Sequence, residues 1–195
     1  MRGIEQIPWL YDAMCAVYER LGLAGWRRWL VAGARGRVLD LGCGTGRNLP
    51  LYPPGARVAG LDPSPAALAR ARRRAPAVPL VVGRVEALPF RDGAFDTVVS
   101  GLVFCSVDDP ARGLGEVRRV LAPGGTLRML EHVRATRPWR ARCQDWIQPA
   151  WTRLAGGCRP NRDTQAAVER GGFAIEAESR RARGDLRRFA ARPVP

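Results

Sequence analysis

Two acids and three glycines carry the first chemical signal of this chain. In Val38-Leu39-Asp40-Leu41-Gly42-Cys43-Gly44-Thr45-Gly46-Arg47-Asn48 an apolar run with strand character enters a glycine-rich turn. Gly42, Gly44 and Gly46 let the main chain turn tightly and approach a ligand where a Cβ would collide. A dinucleotide fingerprint places its third glycine three residues after the second, at a helix N-terminus under a pyrophosphate. Arg47 fills that slot here, and the third glycine comes one residue early. Asp40 sharpens the difference, because a carboxylate aimed into the turn repels a pyrophosphate and attracts an ammonium. A second acid, Asp62, closes the run Val58-Ala59-Gly60-Leu61 at the distance where α/β nucleotide folds set a carboxylate on ribose hydroxyls.

S-adenosylmethionine carries such an ammonium beside its ribose. Later stretches agree in order and spacing: Leu88-Pro89-Phe90, Phe95-Asp96-Thr97-Val98-Val99-Ser100, and Glu116-Val117-Arg118-Arg119-Val120-Leu121-Ala122-Pro123-Gly124-Gly125-Thr126-Leu127. On these residues the chain resembles the class I S-adenosylmethionine-dependent methyltransferases, over about Arg37 to Val133. The resemblance implies that Asp40 holds the methionine amino group while Gly42, Cys43, Gly44, Gly46 and Asn48 frame the cofactor's path. It also implies that Asp62 and Pro63 meet the ribose. Arg84 stands where the family often has a small or acidic residue, which leaves the Val85 backbone and Glu86 to define the adenine pocket. Ser100 and Gly101 end the fourth strand at the seam between donor and acceptor. S-adenosyl-L-homocysteine is the implied product.

Beyond the fourth strand, Phe104 and Cys105 are expected to line the acceptor side. Methyl transfer is a direct in-line displacement, so Cys105 is read as a small, soft packing residue and not a nucleophile. His132, the single histidine, ends the fifth strand in Leu130-Glu131-His132-Val133. Its ordinary pKa near neutrality makes it the candidate general base; the other reading is a histidine that hydrogen-bonds and orients the segment above it. Trp139, Trp146 and Trp151 fall in an insertion over Arg134 to Arg162, where they suit an apolar acceptor, a lipid surface or ordinary core. Glu131-His132-Val133, Gln144, Pro149-Ala150-Trp151 and Gly157-Cys158 through Asn161-Arg162-Asp163-Thr164 resemble a narrower branch. That branch includes membrane-associated alkyl thiol methyltransferases and bacterial phospholipid N-methyltransferase-like proteins. It adds Tyr11, Gln144 and Trp151 to the acceptor candidates. Where the animal members carry an apolar anchor, this sequence shows the amphipathic Ile7-Pro8-Trp9-Leu10-Tyr11.

Alternating elements must position these residues. Helices are expected at Pro8 to Leu21 and Trp26 to Ala34, then strands at Arg37 to Leu41, Arg57 to Leu61, Leu80 to Gly83, Phe95 to Gly101 and Thr126 to Val133. Helices intervene at Pro65 to Arg74 and Pro110 to Leu121. Strands near Phe173 to Arg180 and Leu186 to Arg192 supply an antiparallel edge. This predicts a doubly wound, mostly parallel seven-stranded α/β sheet with a helical lid inserted after strand five. The expected layout is one domain: N-terminal helices over 1–36, cofactor core over 37–133, lid over 134–165, and a C-terminal helix with edge strands over 166–195.

At 195 residues and 46% hydrophobic content the chain can bury one substantial core. It has no membrane-length apolar run and no signal-peptide pattern, so a cytoplasmic protein is expected. Cys15, Cys43, Cys105, Cys143 and Cys158 show no CxxC spacing, which reads as reduced thiols with no disulfide framework and no metal site. The net charge of +14 would suggest nucleic acid, but all 32 basic residues are arginine beside heavy Ala, Gly and Pro, a compositional bias. Arg70 to Arg74 read as a solvated helix face. The expected activity is methylation of a small, largely apolar acceptor, a thiol first, since a basic surround favours the thiolate. The alternatives are a small amine or phosphatidylethanolamine headgroup, and, outside enzymes, a cofactor-binding regulatory or nucleic-acid-binding module. The expected state is a monomer or homodimer without specific nucleic acid, and peripheral membrane contact stays open.

Overall fold

The computed structural model describes residues 8–154 and 157–194, with the side chains of residues 8, 10, 11, 14 and 21 outside that description. Helices α1 (Pro8–Tyr18) and α2 (Ala24–Ala32) are joined by a π-helical turn broken at Gly22, whose φ is 111°. The sheet begins at β1 (Arg37–Leu41) and continues through β2 (Arg57–Asp62), β3 (Leu80–Val82), β4 (Phe95–Gly101) and β5 (Leu121–His132). Helices α3 (Pro65–Arg74) and α4 (Pro110–Val120) are the crossovers before β3 and β5; α5 (Pro138–Leu154) and α6 (Thr164–Arg170) follow β5. The chain finishes in β6 (Phe173–Ile175), β7 (Arg181–Arg183) and β8 (Leu186–Pro193).

Strand order is β3-β2-β1-β4-β5-β8-β6, with β7 paired to β8. The first five strands run parallel, and β8 is antiparallel to β5, β6 and β7. The expected doubly wound sheet is therefore present, with eight strands instead of seven. The stretch expected as one strand near Phe173 to Arg180 is interrupted by a 3₁₀ turn at Ala177–Ser179. Ser179 causes the break, because its hydroxyl donates to Glu176 O at 2.7 Å and accepts from Ala190 N at 2.8 Å, replacing a strand's own main-chain pairing. The fifth strand also starts earlier than its apolar pattern suggests. Leu121 already pairs with Phe95, and a register shift separates that pair from Thr97–Thr126.

Helix starts are fixed locally. Ser64, Asp109 and Asp163 each cap a helix through a side-chain oxygen that accepts a main-chain N–H, and Pro65 and Pro110 occupy first helical positions. One face of the sheet buries Leu39, Leu61, Val98, Leu127 and Phe189 with Leu114 and Val117 of α4 and Val168 of α6. The other face buries Val38, Val99 and Leu130 with Leu30 and Val31 of α2. Arg128 on β5 fastens α2 by donating to Trp29 O and Leu30 O at 2.6 and 2.7 Å. With both faces covered, the carboxyl ends of β1, β2, β4 and β5 are the free edge, and such sheets bind ligands there.

Candidate active site

At the end of β1 the three glycines take left-handed φ values of 62°, 55° and 79° for Gly42, Gly44 and Gly46. A Cβ on Gly42 would meet Val103 and one on Gly46 would meet Ala71, whereas Gly44 looks onto open space. Asp62 sets the turn's shape: its Oδ2 accepts from Gly44 N and its Oδ1 from Ser64 N, both at 2.9 Å. Each oxygen keeps a lone pair for a further donor. Burial pushes the Asp62 carboxyl up, against the pull of those N–H groups. Pro63, beside it, is exposed.

Asp40 is fully enclosed at the end of β1. Its Oδ1 accepts from Asn48 Nδ2 at 3.3 Å, and Asn48 Oδ1 in turn accepts from Arg27 Nη1 at 2.9 Å. Asp40 Oδ2 and the buried Tyr52 hydroxyl each lack a well-formed hydrogen bond, although the tyrosine draws the carboxyl down. Burial dominates and pushes Asp40 up to about 7. A buried carboxylate oxygen with spare capacity beneath a glycine turn is what an ammonium-bearing nucleoside cofactor needs. Cys43 is buried beside Leu49, Leu68 and Ala71 with its thiol held protonated by burial, so it fills space.

What closes this turn comes from far upstream, without a local motif to announce it. Asp12 of α1 accepts from the Thr45 hydroxyl at 2.6 Å and pairs with Arg47, Arg70 and Arg74. Glu19 pairs with Arg27 at 3.0 Å and with Arg47. Arg74 also donates to Thr45 O at 2.6 Å. Burial raises Asp12, but the Thr45 hydroxyl and the guanidiniums outweigh it and hold the carboxyl low. The expectation that Arg70 to Arg74 form only a solvated face is thus corrected at both ends of the run: Arg70 and Arg74 pair with Asp12 of α1 although their side chains stay 37% and 32% exposed, while Arg72 and Arg73 are exposed. Tyr11 lies on the same helix, its side chain outside the described residues.

On the other side of the edge, Glu131 organises the loop after β4. Although fully buried, it accepts from the Ser100 hydroxyl and from the N–H groups of Val103, Phe104 and Cys105 at 2.9 to 3.3 Å. Burial pushes this carboxyl up to about 7 in spite of those donors. The loop turns so sharply that Leu102 adopts a left-handed φ of 64°, a strained conformation for a non-glycine residue. Gly101 before it is crowded by Leu30 and Asn48.

Several acceptor-side expectations change. Phe104 turns into the main core and does not line a seam; a Cβ on Gly113 would meet its ring. Gln144 is a strut: its Oε1 accepts from Ala135 N at 2.7 Å and its Nε2 donates to Val133 O and Pro160 O at 3.2 Å, leaving its amide engaged with main chain. The Val85 side chain joins the core, and Glu86 accepts from Asp108 N while Arg84 pairs with Asp108, so that corner is tied to the start of α4. Trp139 and Trp146 are exposed at 61% and 85%, so neither is core. Trp151 is half-buried and helps lower the Cys158 thiol.

Three residues scattered in sequence converge here. Cys105, His132 and Cys158 bring their ligand atoms within 4.8 Å of one another. The Cys158 thiol is drawn down by Cys105 and His132, and Cys105 is pushed up by its bond to Cys158 and by burial. Burial lowers His132, but Cys158 and the nearby Glu131 and Asp185 carboxylates leave it raised. Surface clefts lie at the opposite edge of the sheet, for instance beside Arg35, Asp96 and Thr97; Asp40, Asp62, Glu131 and His132 end their strands or adjoin those ends at the carboxyl edge.

A doubly wound sheet with an antiparallel strand beside β5, a glycine turn after β1 and an acid ending β2 defines a nucleoside-binding transferase frame, that of the class I methyltransferases. The model of the methyltransferase domain family matches residues 39–129. The chain is 31% identical over 170 residues to the demethylmenaquinone methyltransferase of Renibacterium salmoninarum, covering 80% of this chain and 72% of that one. The chain belongs to the S-adenosylmethionine-dependent methyltransferase family. It is also 39% identical to the thiol S-methyltransferases TMT1B and TMT1A of Homo sapiens, over 73% of this chain. It spans 63% and 62% of their lengths. Among solved structures, a possible histamine N-methyltransferase from Thermotoga maritima superposes with a TM-score of 0.65 at 22% identity, over 93% of this chain and 97% of that one, a likeness of fold.

Proposed function

We propose that this protein transfers the methyl group of S-adenosylmethionine to the sulfur of a small, largely apolar thiol. The observation that carries the donor half is the enclosed Asp40 Oδ2, a buried acceptor without a well-formed hydrogen bond beneath the Gly42–Gly46 turn. Asp40, positioned by Asn48, takes the cofactor's ammonium; Asp62 takes its ribose hydroxyls beside Pro63; and Gly44 admits its main axis. The Val85 main chain and Glu86 bound the adenine. When bound, the cofactor supplies an electrophilic methyl on a sulfonium. The chain's own contribution is to orient the acceptor and exclude water, with α1 clamped over the turn and the segment 134–165 acting as a lid over Ser100 to Cys105. His132 turns its Nδ1 toward Cys158 at 4.0 Å, so its influence on the acceptor runs through that sulfur.

The thiol assignment draws on the relatives named thiol S-methyltransferases. Many arginines are already occupied: Arg37, Arg84, Arg119, Arg134 and Arg192 each hold a carboxylate. That favours a small acceptor over a nucleic-acid backbone. The test offers an alkyl thiol and a matched primary amine in parallel with labelled donor and follows products by mass spectrometry. Methyl thioether is expected, and methylation of the amine alone would refute sulfur.

A peripheral membrane contact is supported by α5, which exposes Trp139, Trp146, Ile147 and Leu154. Amphipathic aromatics beside arginines suit an anionic lipid surface. No described helix is long and apolar enough to cross a membrane. Co-flotation with vesicles containing anionic lipid, lost on Trp146→Ser, is the expected result.

A further inference from the structure

Cys105, His132 and Cys158 come from three separate elements: the loop after β4, the carboxyl end of β5 and the tail after α5. Cys105 and Cys158 are 1% and 7% exposed, while His132 is partly open. The placement is fixed by main chain. Arg159 N donates to Cys105 O at 2.8 Å, stitching the tail to the loop, and Arg162 donates to Phe104 O and Val107 O at 2.6 and 2.7 Å. Arg162 thereby fixes the course of the loop that carries Cys105. Glu131 is not free to join, since its two oxygens already serve Ser100 and three N–H groups.

Tetrahedral zinc, with Zn–S of about 2.3 Å and Zn–N of about 2.0 Å, holds such ligand atoms roughly 3.5 to 3.8 Å apart. The Cys158 Sγ to His132 Nδ1 separation is 4.0 Å, and no pair in the cluster exceeds 4.8 Å. Closing around an ion therefore requires at most about 1.3 Å of contraction. Cys158 follows Gly157, a left-handed residue with φ of 90°.

We propose that Cys105, His132 and Cys158 form a three-ligand site for a soft divalent metal ion, zinc by class, with the fourth tetrahedral position open to the acceptor. Two thiolates and a neutral imidazole balance the charge of the ion, and sulfur with nitrogen selects zinc over magnesium or calcium. Resting on the thiol reading above, the acceptor sulfur is the fourth ligand. Its proton passes to solvent as the sulfur–metal bond forms. The bound thiolate then attacks the methyl carbon, the donor's carbon–sulfur bond breaks, and the neutral methyl thioether, a poor ligand, departs. Nothing is oxidised or reduced.

The purified full chain, stripped with a chelator and reduced, should take up one Co²⁺ per chain and show a thiolate-to-cobalt charge-transfer band with tetrahedral d–d bands. Competition against a chromophoric chelator should show Zn²⁺ affinity lowered at least ~100-fold in Cys158→Ser and in His132→Gln, beyond the usual loss from an outer-shell partner. The exposed Cys143→Ser should match wild type. The wild-type stoichiometry stands on its own if a variant misfolds. Absence of sulfur-to-cobalt charge transfer in folded wild type, or unchanged affinity in both folded variants, overturns the site. An alkyl thiol, but not the matched alcohol, should shift the band; a band indifferent to thiol overturns the fourth-ligand step. Stoichiometric metal together with methylation of the amine alone would sink the thiol reading and leave the metal site standing.

Discussion

The cofactor edge and the acceptor edge of this sheet are built in opposite ways. Around Asp40 and Asp62 the working groups lie within 23 consecutive positions, 40 to 62, and shape comes from glycine φ values and from one carboxylate, Asp62, that grips the main-chain N–H groups of Gly44 and Ser64. Around His132 they are drawn from the loop after β4, the end of β5 and the tail after α5, and a single buried glutamate holds the first of these in place. A local motif takes its main-chain course from its own residues. An assembled one depends on every element that delivers a part.

The largest effect should come from that glutamate. Glu131→Ala leaves three buried N–H groups and the Ser100 hydroxyl without their acceptor and should cost about 3–5 kcal/mol in urea denaturation. Glu131→Gln, which keeps an oxygen for most of them, should lose markedly less. Equal losses would mean that charge, not acceptor geometry, holds the loop. Next, Asp62→Ala should weaken cofactor binding by about 2 kcal/mol or more in titration calorimetry while the chain stays folded. An unchanged affinity would break the claim that the two edges divide donor from acceptor.

Asp40 gives a pH-dependent signature. Its folded pKa, about 7, lies above the ordinary carboxyl value of 3.8, so between those values the folded state binds more protons than the unfolded one. Stability of the cofactor-free protein should therefore fall as pH rises through that window, by at most about 1.4 kcal/mol per pH unit from this group. Asp40→Asn should flatten that part of the profile, and denaturation midpoints between pH 4 and 8 would show whether it does. The smallest effect belongs to Trp146→Ser. At an 85% exposed position it should change stability by less than about 0.5 kcal/mol.

This contrast also governs what could be read without coordinates. The mostly parallel sheet and the cofactor turn were legible because hydrophobic period, glycine spacing and the two acids are local signals. Ser179's interruption of an edge strand was not, since a serine's hydrogen bonds to its own neighbourhood leave no periodic mark. Cys105, His132 and Cys158 are separated by 27 and 26 residues, a spacing that matches no ligand motif, and only the parallel crossover and the returning tail unite them. Phe104 and Gln144 were placed correctly near the edge but with the wrong duty: proximity to a strand end does not say whether a side chain turns outward or into the core.

The clamp on the glycine turn has an asymmetry that bears on how the chain tolerates mutation. Arg27, Arg47, Arg70 and Arg74 converge on only two carboxylates, Asp12 and Glu19. Cations there are redundant: replacing one leaves others within reach, and a lineage that accumulates arginine can exchange them with little penalty. The acids have no spares. Drift at this surface should therefore be permissive at the basic positions and strict at Asp12 and Glu19, so that two inconspicuous residues of the opening helices are single points of failure for a turn whose own sequence is far from theirs.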